Sequence, residues 1–375
     1  MSSIPLVDLT RQTRSLRVPF RLAVGRVLAR GVFILGPELR RFEVEFSRFC
    51  GRRFGVGVAS GTDALELALR AAGIGPGDRV LTVSFTFLST VESIRKVGAT
   101  PVFIDIDPLT YTMDPEQVEA VYRRMPANQR RRVRAILPVH LYGHPCQMDR
   151  LGSMVRKHGW RMIEDCAQAH GARWNSTPVG SLGDLGCFSF YPTKNLGAYG
   201  DAGMVVTSSR TLARQLKVLR LQGRRQRDWQ VVEGLNSRMD EVQAAVLRVK
   251  LKRLQGWIER RRRLAALYTH LLEPLPLQLP RESPGAYHVY HLYVIRSRRR
   301  AALQEYLASR GIATGIHYRR PVHRQPLYRL SEVDHRCLPV TNRAAEEVLS
   351  LPLFPEMRTE ELRRVCRAIS RFYTS

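Results

Sequence analysis

From residue 56 to residue 207 the chain alternates short strand-like runs (VGVA, RVLTV, PVFIDI, RAILPVH, RMIE, GCFSF and GMVVT) with segments of helical period. Strands interleaved with helices in this way predict an α/β fold: a mostly parallel central sheet flanked by helices on its faces. Residues 17–30 and 37–50 read as helices ahead of that sheet, separated by Gly31 and the Gly36-Pro37 pair. Thr211–Gln222, Met239–Leu254 and Trp257–Leu271 follow as helices, the last a long amphipathic one. Past Pro274 the texture changes to short strands (YHVYHLYVI) and two helices, Arg298–Ser309 and Thr359–Phe372. We therefore expect a large domain over residues 1–255, with a helical N-terminal segment, and a smaller C-terminal α/β domain over 256–375.

In open α/β sheets ligands collect at the carboxyl ends of the strands. One such end carries an unusual lysine. In GCFSFYPTKNLGAYGDAG (186–203) a strand-like run stops at Pro192, and Lys194 sits in the turn-rich segment that follows. The chain holds six lysines, at 96, 157, 194, 217, 250 and 252, against fifty-four arginines. A lysine amine can lose its proton and attack a carbonyl, which a guanidinium cannot do. A loop lysine is ordinarily just a solvated charge, so its neighbours must decide.

Upstream, WRMIED (160–165) is an apolar strand ending in carboxylates, and Asp165 stands at its end. A buried anion there suits a cationic ring nitrogen; the competing role for Asp165 is a helix N-cap. Ser60-Gly61-Thr62 lies between the strand-like GVGV and the helical DALELALRAAG, a helix N-terminus with free N–H groups for a phosphate. Ser189, five positions before Lys194, adds a hydroxyl.

Taken together these segments resemble the DegT/StrS sugar aminotransferases, pyridoxal-phosphate enzymes of fold type I. The resemblance rests on SGTDALELAL (60–69), SFTFLSTVESI (84–94), GATPVFIDIDPLTYTMDP (98–115), PVHLYGHP (138–145) and IEDCAQAHGA (163–172). It continues through VGSLGDLGCFSFYPTKNLGAYGDAG (179–203), GLNSRMDEVQAAVLRVKL (234–251), GIATGIHYRRPVH (311–323) and LSLPLFPEM (349–357). It spans essentially the whole chain, and the run from 163 to 203 is its most specific part.

The resemblance implies pyridoxal 5′-phosphate as cofactor, with Lys194 as the Schiff-base lysine and Asp165 as partner of the ring nitrogen. Phe87 should stack on the ring, Gln168 should lie over it, and Gly61, Thr62 and Ser189 should hold the phosphate. Asn236 should reach the phosphate of a neighbouring subunit, implying a homodimer with shared sites; its other expected role is an N-cap for the helix that follows. His317, Tyr318, Arg319 and His323 match the substrate-side segment. There the chain departs from the family's usual Pro after Tyr, offering Arg319-Arg320 to a diphosphate instead. Cys166 replaces a commoner Ala, and His140 and Tyr142 read as core and sheet-end residues. The implied reaction moves an amino group from glutamate or glutamine to a ketone of a nucleotide-linked sugar. The loop after Lys194 and the 234–251 segment are most similar to enzymes acting at carbon 3; carbon 4 and a catalytically silent binding or regulatory member are the alternatives.

The formal net charge is +27. Its clusters (Arg130–Arg134; Arg224-Arg225 with Arg227; Arg260–Arg263; Arg298–Arg300) lack the interleaved aromatics of a nucleic-acid stacking platform, so nucleic acid is not the expected partner. The six cysteines (50, 146, 166, 187, 337, 366) show no C-x-x-C spacing, and no metal site is expected. Met1–Leu9 lacks the features of a signal peptide and no run approaches the length of a membrane span, so a cytoplasmic protein is expected.

Overall fold

The structure is a computed structural model; it describes residues 3–226, 228–328 and 338–374, so Arg227 and Cys337 lie outside the described residues. Its strands are β1 (Phe54–Val58), β2 (Arg79–Val83), β3 (Thr100–Ile104), β4 (Val133–Leu137), β5 (Arg161–Asp165), the short β6 (Arg173–Trp174) and β7 (Thr177–Pro178), β8 (Leu185–Ser189) and β9 (Gly203–Thr207). Seven of these form one sheet in the order β1-β9-β8-β5-β4-β2-β3. β9 alone runs antiparallel to its neighbours; the other six point one way. The strands are buried along nearly their whole length, as a sheet covered on both faces requires.

That topology gathers the carboxyl ends of β1, β2, β5 and β8, with the amino end of β9, at one edge. Asp165 pairs with Cys187 across β5 and β8, and Gly203 faces both Val58 and Ser189. The helix Gly61–Ala71 begins two residues beyond Ala59, so its N-terminus lies at the same edge.

The expected N-terminal helices are present as Arg17–Arg30 and Pro37–Phe49, after a short Leu9–Ser15 helix capped by Asp8. The later ones are Arg210–Leu219, Glu241–Leu251, Leu254–Leu272, Arg300–Ala308 and Thr359–Thr374. The remaining strands are β10 (Arg224–Gln226), β11 (Trp229–Gln230), β12 (Ala286–Tyr287), β13 (Tyr293–Arg296) and β14 (Val348–Leu351). β13 pairs antiparallel with β14, a hydrogen-bonded ladder between residues over fifty positions apart.

A second core gathers Leu264, Tyr268, Tyr293, Ile295, Leu303, Leu362 and Ile369. Residue 255 falls inside the helix Leu254–Leu272: Leu254 and Ile258 pack in a cluster with Leu39, Phe42, Phe188 and Leu247, and Leu264 onward joins the second core. Ile4 also enters that second core and bridges Ile312, so the N-terminal strand of chain crosses to it.

Candidate active site

Asp165 is a buried carboxylate at the end of β5, and it heads no helix, which removes the N-cap role. Its Oδ1 accepts from the Ala167 N–H (3.1 Å), and its Oδ2 accepts from the Thr90 hydroxyl (2.8 Å), itself paired with Thr86 (2.8 Å). Burial pushes the carboxyl up, opposed by these two donors and by the positive charge of Lys194. Thr90 lies in the first turn of the helix Leu88–Lys96, three positions after Phe87. Sequence reading did not single it out; its i+3 spacing from Phe87 was the available signal.

Lys194 follows β8 in a turn closed by its own N–H to the Tyr191 carbonyl (2.9 Å). Burial lowers its ammonium to about 8, while the Asp165 carboxylate works the other way. Three imidazoles feel its charge. Burial first and that charge second push His170 to about 3, His317 to about 4 and His291 well below its ordinary value. All three rings are neutral near pH 7, leaving Lys194 as the titrating amine. Asn195 anchors the turn through Nδ2 to the Val289 carbonyl (3.2 Å), with its Oδ1 facing His291 Nδ1 (3.2 Å).

A helix N-terminus and two hydroxyls lie next door. Ser60 caps the helix Gly61–Ala71 by accepting from the Asp63 N–H (3.1 Å). A Cβ on Gly61 would stand 2.5 Å from the Ser189 Cβ, and one on Gly203 would collide with the Ser60 carbonyl. Glycine at both positions lets the helix N-terminus close on the ends of β8 and β9. Thr62 Oγ1 donates to Ser89 Oγ (2.7 Å), and Ser189 Oγ accepts from the Tyr191 N–H (3.3 Å), which leaves the Ser189 hydroxyl proton to donate.

Gln168 is buried and bridges two elements: its Oε1 accepts from the Tyr142 N–H (2.8 Å) and its Nε2 donates to Tyr318 Oη (3.0 Å). Tyr142, which the sequence marked as a sheet-end residue, is thus part of the site, and its hydroxyl also bonds the His317 carbonyl. Phe87 is 55% exposed, with its ring centroid 6.1 Å from that of Tyr318.

Other expected residues are placed differently. His323 is fully buried; Ser84 Oγ (2.6 Å) and Asn342 Oδ1 (3.1 Å) occupy both ring nitrogens, so it fastens the segment to the end of β2 and presents no free edge to a ligand. His317 is held through Nδ1 to Ser350 Oγ (2.8 Å) and Arg319 is exposed. Asn236 is exposed beside a bridge to Leu221 and does not cap the helix Glu241–Leu251, whose N-cap position is Asp240.

His140 does read as core. His140, Glu164 and Cys166 bring ligand atoms within 4.8 Å of one another. However, Glu164 already accepts from Gly180, Leu182 and Gly183 N–H groups (2.6–2.8 Å) and from His140 Nε2 (3.0 Å). Burial opposes its charge, yet these donors hold its carboxyl below the usual range. This is a pin for the 178–184 turn.

A model of the DegT/DnrJ/EryC1/StrS aminotransferase family matches residues 16–370. The chain belongs to this family. It is 45% identical over 370 residues to a UDP-N-acetyl-3-dehydro-alpha-D-glucosamine 3-aminotransferase of Acidithiobacillus ferrooxidans, covering 99% of this chain and 98% of that one. It is 43% identical over 367 residues to a dTDP-3-amino-3,4,6-trideoxy-alpha-D-glucose transaminase of Streptomyces venezuelae, covering 98% and 95%. The crystal structure of Streptomyces venezuelae DesV superposes with a TM-score of 0.95 at 42% identity over the full length of both chains. The architecture is therefore that of the fold type I aminotransferases, and pyridoxal phosphate, or its amine form, is the family's cofactor. The residues present fit that group: a depressed amine, a buried carboxylate, an exposed aromatic ring and a glycine-walled helix N-terminus converge here.

Proposed function

We propose that this protein transfers an amino group from glutamate or glutamine to the carbon-3 ketone of a UDP- or dTDP-linked sugar. The observation that carries the reading is Lys194, an amine lowered to about 8 beside the buried Asp165 and the close approach of Gly61 to Ser189. Both relatives above are named for amino groups at carbon 3.

Pyridoxal phosphate, when bound, supplies an aldehyde that condenses with amines and a ring that withdraws electrons from the adjoining carbon. Asp165 would be the buried carboxyl partner of the ring nitrogen; the Ala167 N–H, the Thr90 hydroxyl and the Lys194 charge oppose the rise that burial imposes on it. Gly61, Thr62 and Ser189 would hold the phosphate through helix N–H groups and the Ser189 hydroxyl. Phe87 and Gln168, the latter oriented by Tyr142 and Tyr318, would hold the ring. Lys194 Nζ would carry the proton from the donor's Cα to the cofactor carbon that adjoins the ring, and in the second half-reaction would run the same shuttle in reverse. His317, Tyr318 and Arg319 lie on the substrate side, where the exposed Arg319 and Arg320 suit a diphosphate.

We read the working unit as a homodimer with shared sites, Asn236 serving the partner's phosphate. Exposed apolar residues support this: Val32, Phe33 and Ile34 in succession, with Val18, Leu22 and Leu28 on the preceding helix. A cytoplasmic setting remains part of the proposal; among the described residues no helix is long and apolar enough to cross a membrane. The basic clusters speak less for nucleic acid than their charge suggests. Arg261 is buried against the carbonyls of Tyr290, His291 and Leu353, Arg262 pairs with Glu282, and Arg299 lies over Phe372.

The test is the visible absorption spectrum of protein supplied with pyridoxal phosphate. A Schiff-base band should form, bleach with glutamate and return with a 3-keto nucleotide sugar but not its 4-keto isomer. Return with the 4-keto isomer alone would move the reaction to carbon 4. A band that glutamate and glutamine both leave untouched would favour a silent member.

A further inference from the structure

Scarce lysine pointed to Lys194, and the same scarcity marks a second one. Of the six lysines, those at 96, 157, 217 and 252 are exposed. Lys250 is completely buried, among the largest side chains so enclosed. It projects from the helix Glu241–Leu251, whose first residue is itself fixed: the Glu241 carboxylate accepts from the Glu38 and Leu39 N–H groups (both 2.8 Å).

Lys250 Nζ donates to the Gly197 carbonyl at 2.6 Å, its acceptor among the described residues, and Gly197 lies three residues after Lys194. The ammonium also stands 4.2 Å from the ring centroid of Tyr199 and 5.9 Å from that of Phe20, over two electron-rich faces. Burial lowers it to about 8, opposed by the Glu356 carboxylate. The loop it grips has no slack. A Cβ on Gly197 would strike the Pro192 carbonyl, the Ala198 N–H donates to the Phe190 carbonyl (2.7 Å), and Tyr199 exchanges backbone bonds with the Gln243 side chain (2.8 and 3.3 Å). Tyr199 Oη reaches Thr13 Oγ1 (2.7 Å), and its ring meets Phe20 edge-on at 5.1 Å.

A guanidinium presents five donors in a rigid fork and would leave most unpaired here, whereas one carbonyl and two rings suit a compact ammonium. We infer that Lys250 is a positioning residue: by clamping the Gly197 carbonyl and the Tyr199 ring it fixes the loop that aims Lys194. The inference rests on Lys194 being the cofactor lysine. It acts on geometry at the reacting amine, so the rate constant carries the effect and sugar affinity does not.

The experiment compares wild type with Lys250→Met, which keeps length but loses donor and charge, and Lys250→Gln, which keeps an N–H donor. Three quantities are read: the rate at which cofactor-free protein forms the Schiff-base band with added pyridoxal phosphate, kcat against KM for the sugar, and hydrogen exchange of the amides of residues 194–200. Lys250→Met should slow band formation and kcat about 10- to 100-fold. It should leave KM within about twofold, and speed exchange in 194–200 about tenfold while the helix Glu241–Leu251 stays protected. Lys250→Gln should recover part of each loss. Wild-type band formation and kcat in Lys250→Met overturn the proposal, as does exchange that quickens equally across the helix and the loop. If Lys250→Met fails to fold, Lys250→Gln decides alone: an unchanged kcat and band-formation rate overturn it. Absence of the band in wild type would instead sink the cofactor reading of Lys194, a distinguishable failure.

Discussion

Lys194 is lowered to about 8 where an exposed lysine sits at 10.5, and the neutral amine is the form that attacks an aldehyde. The neutral fraction therefore rises as pH climbs through 8. Cofactor-free protein should form its Schiff-base band about tenfold faster at pH 9 than at pH 7, and level off above that. A stopped-flow series would show it; continued rise through pH 10 would mean an unperturbed lysine. Asp165→Asn keeps the side-chain shape between Ala167 and Thr90 but removes the anion. We expect kcat to fall on the order of 10²- to 10³-fold with the melting temperature little changed. A steady-state assay beside a thermal melt separates that outcome from simple unfolding.

Among the elements, the turn at 178–184 depends on one side chain. Glu164 receives three backbone N–H groups and His140, so Glu164→Ala strands several buried donors at once. The cost should be about 3–5 kcal/mol, read from urea unfolding. The native carboxyl lies below its ordinary value near 4.5, so the unfolded chain binds the proton more readily. The contribution is accordingly complete above about pH 4.5 and is lost as pH falls through the lower native value. This turn also abuts the strand carrying Asp165, which ties the stability of β5 to the site it ends in. The strands themselves were readable from alternation and β-branching. The pair β13 and β14 was only half-visible, because β14 has no neighbour in sequence to announce its partner.

At the scale of the whole molecule, the shared-site reading predicts complementation. Lys194→Ala and Asn236→Ala subunits, each impaired alone, are mixed after unfolding and refolding together. A heterodimer then holds one site with both native residues, so about a quarter of all sites should regain wild-type turnover. Activity that merely averages the two parents would place Asn236 in its own subunit's site. The exposed Val32-Phe33-Ile34 run and the exposed Asn236 are the surface features such a dimer would cover.

What the linear chain determined by itself was the local chemistry. Strand and helix order follows from periodicity; Asp165 at a strand end, Ser60-Gly61-Thr62 at a helix start and Lys194 by its rarity on a glycine-rich loop stood out as candidates, whose roles the family resemblance supplied. These signals live within a few residues, where spacing alone dictates direction. The tertiary structure decided everything that needs a distant partner. Thr90 meets Asp165 across 75 positions, Gln168 meets Tyr318 across 150, and Lys250 meets Gly197 across 53. It also turned His323 from a substrate candidate into a buried fastener and brought Tyr142 into the site. The reason is physical. Whether a polar side chain is a ligand or a strut depends on which of its donors and acceptors the folded chain has already satisfied, and sequence spacing carries no record of that.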